Sequence, residues 1–385
     1  MTSASIPFNS PSIEGHELGY VRSALDGGHT SASGPFSKKA GNLLREASGA
    51  QEVLLTTSCT AALELSGMLT GIGPGDVVIV PDFTFSTTAL AYARAGATLR
   101  FCDIEPRTLG MDPAHLETLM DERVKAVVPV HYAGVPCDLD GIGKVLAQWP
   151  GATMIEDNAH GLFGSWSGRP LGGFGRFGTL SFHETKNFTC GEGGALLINE
   201  SADVDRARVL YDKGTDRQAF FLGQIDKYSW KDTGSSFGLS DTLAAQLFGQ
   251  LEVREQILAK RRRVWERYDT LMRPLATEFG LTLPQVPDGA EQAYHMFYVL
   301  LPEHHLRQSA LDGMSRRGVR ATFHYVPLHT SDAGRRFTDH PGGCPVSVDI
   351  SGRLLRLPFF NGLTEEQAVR VVDALRASLE DVRAG

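Results

Sequence analysis

No stretch of about 18 apolar residues occurs in the 385-residue chain, so the sequence predicts no membrane-spanning helix. The opening residues M-T-S-A-S-I-P-F-N-S-P lack a charged segment followed by an apolar one, which excludes a secretory leader as a reading of them. Cysteine is scarce. The five present (Cys59, Cys102, Cys137, Cys190 and Cys344) are scattered, odd in number and form no C-x-x-C. A disulfide framework and a structural metal site are therefore not expected, and a reducing cytoplasm fits. Asn187-Phe188-Thr189 and Asn199-Glu200-Ser201 then count as chance matches to the glycosylation pattern. A surplus of positive charge is also missing. The formal net charge of -8 argues against nucleic acid as a partner, while leaving room for a local basic pocket. Internal repeats, low-complexity segments and Pro/Ser linkers are absent too, so the two domains expected from the length should pack closely.

What is present alternates. V-V-I-V (Val77–Val80) precedes the helical pattern T-T-A-L-A-Y-A-R-A, closed by Gly96. T-L-R-F (Thr98–Phe101), V-K-A-V-V-P-V (Val124–Val130), A-T-M-I-E-D (Ala152–Asp157), T-L-S-F (Thr179–Phe182) and A-L-L-I (Ala195–Ile198) follow. Runs apolar on both faces and spaced by helices indicate an α/β fold with a mostly parallel sheet covered on both sides. From Asp241, Leu243, Leu247, Leu251, Ile257, Val264 and Tyr268 mark one long amphipathic helix, whose K-R-R-R run reads as a solvated face. Beyond it, Tyr294–Pro302, a helix ending at R-R-G-V and a strand over Ala321–Leu328 suggest a smaller α+β unit. The expected division is residues 1–250, with an N-terminal arm, and 251–385.

Open α/β sheets bind ligands beyond the carboxyl ends of their strands, which gives the motifs a common test. Gly173-Phe174-Gly175-Arg176-Phe177-Gly178 fits G-x-G-x-x-G literally but leads into a strand rather than opening a helix, so no dinucleotide site is expected. Ser58-Cys59-Thr60 follows the strand V-L-L-T and starts a helix, where hydroxyls and N–H groups either cap the helix or hold an anion. Asp157 ends a strand, with His160 three residues on, and reads either as a cap or as the partner of a cationic ligand nitrogen. Phe85, after P-D-F-T, is a core aromatic or a platform for a flat ring. Lys186 lies just past T-L-S-F-H-E-T, where Ser181 and His183 should point to the opposite face from Phe182. Anion cradle, platform, acid and amine, all following predicted strands, are together what an aromatic phosphorylated aldehyde needs.

The series S-C-T-A-A-L, P-D-F-T-F, H-Y-A-G, E-D-N-A-H, S-F-H-E-T-K-N and G-E-G-G resembles the sugar aminotransferases of the DegT/DnrJ/EryC1/StrS family. The likeness runs from Ile6–Pro11 to Arg353–Pro358. Within the family it is strongest to the dTDP-4-amino-4,6-dideoxygalactose transaminases, through H-Y-A-G-V-P-C-D, K-G-T-D-R…G-Q-I-D-K-Y-S-W and H-Y-V-P-L-H.

The resemblance implies a fold-type I, aspartate-aminotransferase-like architecture, pyridoxal 5'-phosphate as cofactor, and Lys186 as the lysine that bonds its aldehyde. Asp157 would face the pyridinium nitrogen, His160 would lie beside the ring, and Phe85 would stack on it. Cys59, Thr60 and Ser181, together with Ser58, would surround the phosphate. Ser236 stands where many relatives carry an asparagine that reaches the neighbouring subunit's phosphate, so a homodimer with shared sites is implied. Arg217, Lys227, Tyr228, Trp230, His324 and His329 are candidates for the sugar, the pyrophosphate or the carboxylate of glutamate, each with a purely structural role as the alternative. The reaction implied transfers an amino group from L-glutamate to C4 of a dTDP-linked 4-keto-6-deoxyhexose. A lysine at 186, where related dehydratases carry histidine, favours transamination. A 3-keto-sugar aminotransferase and a binding protein without turnover are the alternatives. The roles of His183 and Glu184 stay open.

Overall fold

The computed structural model describes residues 5–221 and 223–384, so the expectation drawn from the first four residues lies outside it. Seven strands form the central sheet: β1 (Glu52–Thr56), β2 (Val77–Pro81), β3 (Thr98–Cys102), β4 (Val124–Val127), β5 (Thr153–Asp157), β8 (Phe177–Ser181) and β9 (Gly194–Ile198). Their order is β1-β9-β8-β5-β4-β2-β3. The β2/β3, β2/β4, β4/β5 and β5/β8 pairs are parallel, and only β9 runs antiparallel to its neighbours. The architecture is thus the expected α/β sheet of a fold-type I transferase. Valine and isoleucine on both faces of β2 (Val77, Val78, Ile79, Val80) are fully buried, because helices cover the sheet on each side. β4 is shorter than its apolar run, since Pro129 brings no N–H to the ladder. Three short strands, β6 (Ser165–Trp166), β7 (Arg169–Pro170) and β10 (Ala290–Glu291), form a separate ribbon, and β11 (Tyr298–Leu300) pairs with β12 (Leu354–Arg356).

A second apolar core, built by Val264, Tyr268, Phe297, Met314, Leu355, Val371 and their neighbours, belongs to the C-terminal part of the chain. Ile6 of the N-terminal arm is seated in it. The Ile6 N–H donates to Gly318 O (2.8 Å), and Ile6 O accepts from Arg320 N (3.0 Å).

Three local expectations are corrected. The long helix from Asp241 is two helices, Asp241–Glu252 and Arg254–Phe279, broken at Val253. Leu247 and Leu251 pack with the N-terminal helices Glu17–Asp26 and Pro35–Ser48, whereas Val264 and Tyr268 serve the C-terminal core. One straight helix cannot present a stripe to both. Second, the K-R-R-R run is not uniformly solvated. Arg261 is buried and donates to Tyr294 O (2.9 Å), His295 O (2.6 Å) and Asn361 Oδ1 (2.9 Å). Third, Ala321–Leu328 forms no strand. It touches β12 through a single bridge, Thr322 to Arg356, and otherwise walls a cavity.

Candidate active site

The carboxyl ends of β1, β2, β5 and β8 share one edge of the sheet, and a cavity of about 630 Å³ opens there. Ser58, Cys59, Thr60, Phe85, Asp157, His160, Ser181, Lys186 and His324 all line it. Helix Cys59–Thr70 meets the cavity with its N-terminus. Ser58 Oγ accepts from Ala61 N (3.1 Å), so the side chain caps the helix, while the N–H groups of Cys59 and Thr60 precede the first helical bond, Ala62 N to Ser58 O. Gly194 of β9 makes this approach feasible: a Cβ there would stand 2.4 Å from Cys59 N and from the Ser58 carbonyl carbon.

Asp157 is buried and makes no ion pair among the described residues. Its Oδ2 accepts from Thr88 Oγ1 (2.8 Å), itself 3.0 Å from Thr84 Oγ1, and its Oδ1 accepts from Ala159 N (3.2 Å). Burial pushes its carboxyl up, against the Thr88 hydrogen bond and the positive charge of Lys186. The next carboxylate back, Glu156, faces the other side of β5. Its Oε1 accepts from Phe174 N (2.5 Å) and Gly175 N (2.7 Å), and its Oε2 from Gly172 N (2.8 Å), with His131 Nε2 at 3.0 Å. His131 Nδ1 accepts from Cys137 N (3.3 Å), so the imidazole proton sits on Nε2 and points at Glu156. The G-x-G-x-x-G stretch is therefore a cradle for an internal carboxylate.

Lys186 stands at the apex of a loop that folds back on itself. The Cys190 N–H and the Thr189 hydroxyl both donate to Phe182 O at 3.1 Å, and Lys186 N donates to His183 O at 2.9 Å. Two distant contacts pin the loop: Thr189 N to Gln250 Oε1 (2.9 Å) and Asn187 Nδ2 to Ala293 O (2.6 Å). As the strand alternation requires, Phe182 is fully buried, while Ser181 and His183 reach the cavity. Burial pulls the Lys186 ammonium down to about 8, with Asp157 opposing and Arg356 adding to the fall. His160 is held neutral by burial and by the charges of Lys186 and Arg356, and its Nδ1 finds no partner among the described residues. Its ring stacks on His295 at 4.2 Å between centroids. Phe85 is 57% exposed at the cavity rim, 6.2 Å from the Tyr325 ring; the buried aromatic of that turn is Phe83.

His183 shares the cavity with Glu192, its Nε2 3.5 Å from Glu192 Oε1, and Glu184 contributes its carbonyl to Asn9 Nδ2 (3.0 Å). The remaining candidates do not reach the cavity. Arg217 pairs with Asp212 (3.0 Å), and His329 is tied to buried Asp82 (2.7 Å). Lys227, Tyr228 and Trp230 lie on an exposed segment, with Trp230 81% exposed, and Ser236 is exposed beside Asp212. Sequence reasoning missed Thr88, His295, Arg356 and Asn187. The last stands next to the lysine, yet nothing local marks it.

The residues present fit pyridoxal phosphate. A half-buried amine, a buried carboxylate, a His160 Nδ1 without a partner among the described residues and a helix N-terminus converge on one cavity. Matches to known proteins agree. Residues 11–376 match the model of the DegT/DnrJ/EryC1/StrS aminotransferase family. The spore coat polysaccharide biosynthesis protein SpsC of Bacillus subtilis is 31% identical over 379 residues, covering 96% of both chains. The aminotransferase TlmJ of Streptoalloteichus hindustanus superimposes with a TM-score of 0.89 at 30% identity, over 98% of this chain and all of that one. The fold also matches the pyridoxal-phosphate form of Spr1654 from Streptococcus pneumoniae, described as a sugar aminotransferase, with a TM-score of 0.90 at 24% identity over 98% of this chain and 99% of that one. The chain belongs to the DegT/DnrJ/EryC1/StrS family of sugar aminotransferases and is a pyridoxal-phosphate-dependent aminotransferase.

Proposed function

We propose that the enzyme transfers the amino group of L-glutamate to C4 of a dTDP-linked 4-keto-6-deoxyhexose, giving a 4-amino-4,6-dideoxyhexose. The observation that carries the transamination is the placement of Lys186, an amine of lowered basicity, in the same cavity as buried Asp157. The C4 position and the dTDP carrier rest on the run of motifs shared with the 4-amino-4,6-dideoxygalactose transaminases. A cavity of about 630 Å³ lies within the ~300–1,000 Å³ typical of small-molecule sites and leaves room for a sugar beside the cofactor.

In this reading the cofactor, when bound, supplies an aldehyde that bonds amines and a ring that takes up the electron pair left at Cα. Lys186 Nζ would hold that aldehyde, and the same amine, when free, would take the proton from the donor's Cα. Its lowered basicity leaves a substantial neutral fraction near pH 7–8, as a base and nucleophile there requires. Asp157, steered by Thr88 and Ala159, would hold a proton on the ring nitrogen. Neutral His160 and exposed Phe85 would border the ring, while the Cys59 and Thr60 N–H groups, with Ser181, would hold the phosphate. The ketone then receives the amine by the same steps in reverse.

We also assign residues 1–250 to the cofactor-binding unit and 251–385 to the unit that closes it, with Ile6 of the arm crossing to the second. The exposed aromatics Phe220, Phe221 and Tyr228 cluster on the surface, with exposed Trp230 on the same segment, and a second copy of the chain covering them supports a homodimer. No helix among the described residues is long and apolar enough to cross a membrane, and the cysteine pattern favours the cytoplasm. Borohydride reduction and peptide mapping should place the cofactor on Lys186. Incubation with dTDP-4-keto-6-deoxyglucose and glutamate should give a 4-amino sugar by NMR. Label on another lysine, or no amino sugar, refutes the reading.

A further inference from the structure

His295 is buried in the cavity wall, and no motif of the sequence marks it. The segment that carries it precedes β11 and is clamped by its backbone. Ala293 N donates to Gly134 O (2.9 Å) and His295 N to Ala133 O (3.3 Å), while the buried Arg261 guanidinium reaches the Tyr294 and His295 carbonyls. Within this clamp Ala133 (φ 58°) and Tyr294 (φ 51°) both adopt left-handed backbone. A tyrosine takes that conformation only where its surroundings impose it, and such strain collects where a side chain must be aimed.

The ring so aimed makes two contacts. It stacks on His160, with centroids 4.2 Å apart and planes 13° apart. Its Nδ1 lies 2.8 Å from Asn187 Oδ1. Asn187 Nδ2 donates to Ala293 O, which leaves Oδ1 as the acceptor and puts the His295 proton on Nδ1. Burial, together with the charges of Lys186, Arg261 and Arg356, keeps the ring neutral. Asn187 directly follows Lys186 in the lysine loop. One side chain from the C-terminal part of the chain thus touches the His160 ring and, through Asn187, the loop that carries the amine.

We propose that His295 is a positioning residue for the transamination: its ring face sets the plane of His160, and its Nδ1–H, through Asn187, sets the apex on which Lys186 stands. The inference rests on the aminotransferase reading of the site. Histidine serves both contacts, whereas phenylalanine offers the face without the donor, and asparagine offers a donor near the Nδ1 position without the face.

That division supplies the test, made with His295→Phe and His295→Asn. The first readout is the pH dependence of pyridoxal phosphate capture by the apoenzyme, whose midpoint reports the Lys186 amine, at about 8 in wild type. His295→Phe frees the loop apex toward water, so the midpoint should rise by at least about half a pH unit, while His295→Asn should leave it within about 0.2. The second readout is visible circular dichroism of the holoenzyme, which reports how rigidly the cofactor is held. His295→Asn should cut that signal at least about twofold, and His295→Phe should keep most of it. In a single turnover with glutamate both variants should lose about tenfold or more in limiting rate, with the half-saturating concentration within about threefold. Any other pattern overturns the proposal, including both optical readouts moving together in each variant, or an unchanged limiting rate. Should one variant not fold, the other decides by its own readout. A wild-type holoenzyme inert to every amino acid would refute the aminotransferase reading, and the two optical readouts would still decide whether His295 positions His160 and Lys186.

Discussion

Glu156→Gln isolates the role of the cradle behind the site. All four acceptor positions of the Glu156 carboxylate face donors: Phe174 N and Gly175 N at Oε1, Gly172 N and the His131 Nε2 proton at Oε2. A glutamine must turn its NH2 toward one of these pairs. If it replaces Oε1, two backbone N–H groups lose their acceptor. If it replaces Oε2, Gly172 N and His131 lose theirs, and His131 cannot move its proton to Nδ1 because Cys137 N already donates there. Either way two buried donors stay unpaired, at about 1–3 kcal/mol each, so the expected loss is roughly 2–6 kcal/mol. With an unfolding entropy of about 2.1 cal/mol/K per residue, the 385-residue chain changes by about 0.8 kcal/mol per degree, which predicts a Tm lower by about 3–7 °C. Thermal unfolding followed by circular dichroism measures this, with Glu200→Gln as control. That exposed side chain lies 3.8 Å from Arg176, and its change should stay within about 0.5 kcal/mol. A Glu156→Gln protein melting within 1 °C of wild type would refute the account of the glycine loop.

Two further outcomes follow from the site. Capture of pyridoxal phosphate by the apoenzyme needs the neutral Lys186 amine, so its rate should climb about tenfold per pH unit below about 8 and level off above. Stopped-flow absorbance tests this, and a rate still rising steeply above pH 9 would mean an unshifted lysine. Gly194→Ala would set a Cβ against backbone atoms of Ser58 and Cys59 that have no rotamer to escape into. A stability loss of about 1–3 kcal/mol is expected, together with roughly tenfold weaker pyridoxal phosphate binding as the helix N-terminus shifts. Cofactor affinity unchanged in that variant would detach the phosphate from the helix start.

The alternation of apolar runs with helices was enough to read the central sheet, because burial on both faces forces apolar residues along β2 and β9. The strand-end rule then placed Asp157 and Lys186 at one edge, and the shared motifs named the cofactor. Periodicity fails where a helix must serve two cores: the break at Val253 and the burial of Arg261 depend on the angle between the units, which no local pattern carries. His324 was a candidate by motif, but its neutral tautomer follows from Arg356, 32 positions away. Asn187 is held by Ala293 across 106 positions, and Glu156 by a loop that resembles a dinucleotide fingerprint. The sequence by itself determined the sheet and the positions of Lys186 and Asp157 at its edge, since each is set by neighbours along one strand. Only the tertiary structure decided which charges are already paired, as buried Glu156 and half-exposed Arg217 are, and that Arg356 reaches the cavity wall. Pairing depends on groups that meet only when the chain closes on itself.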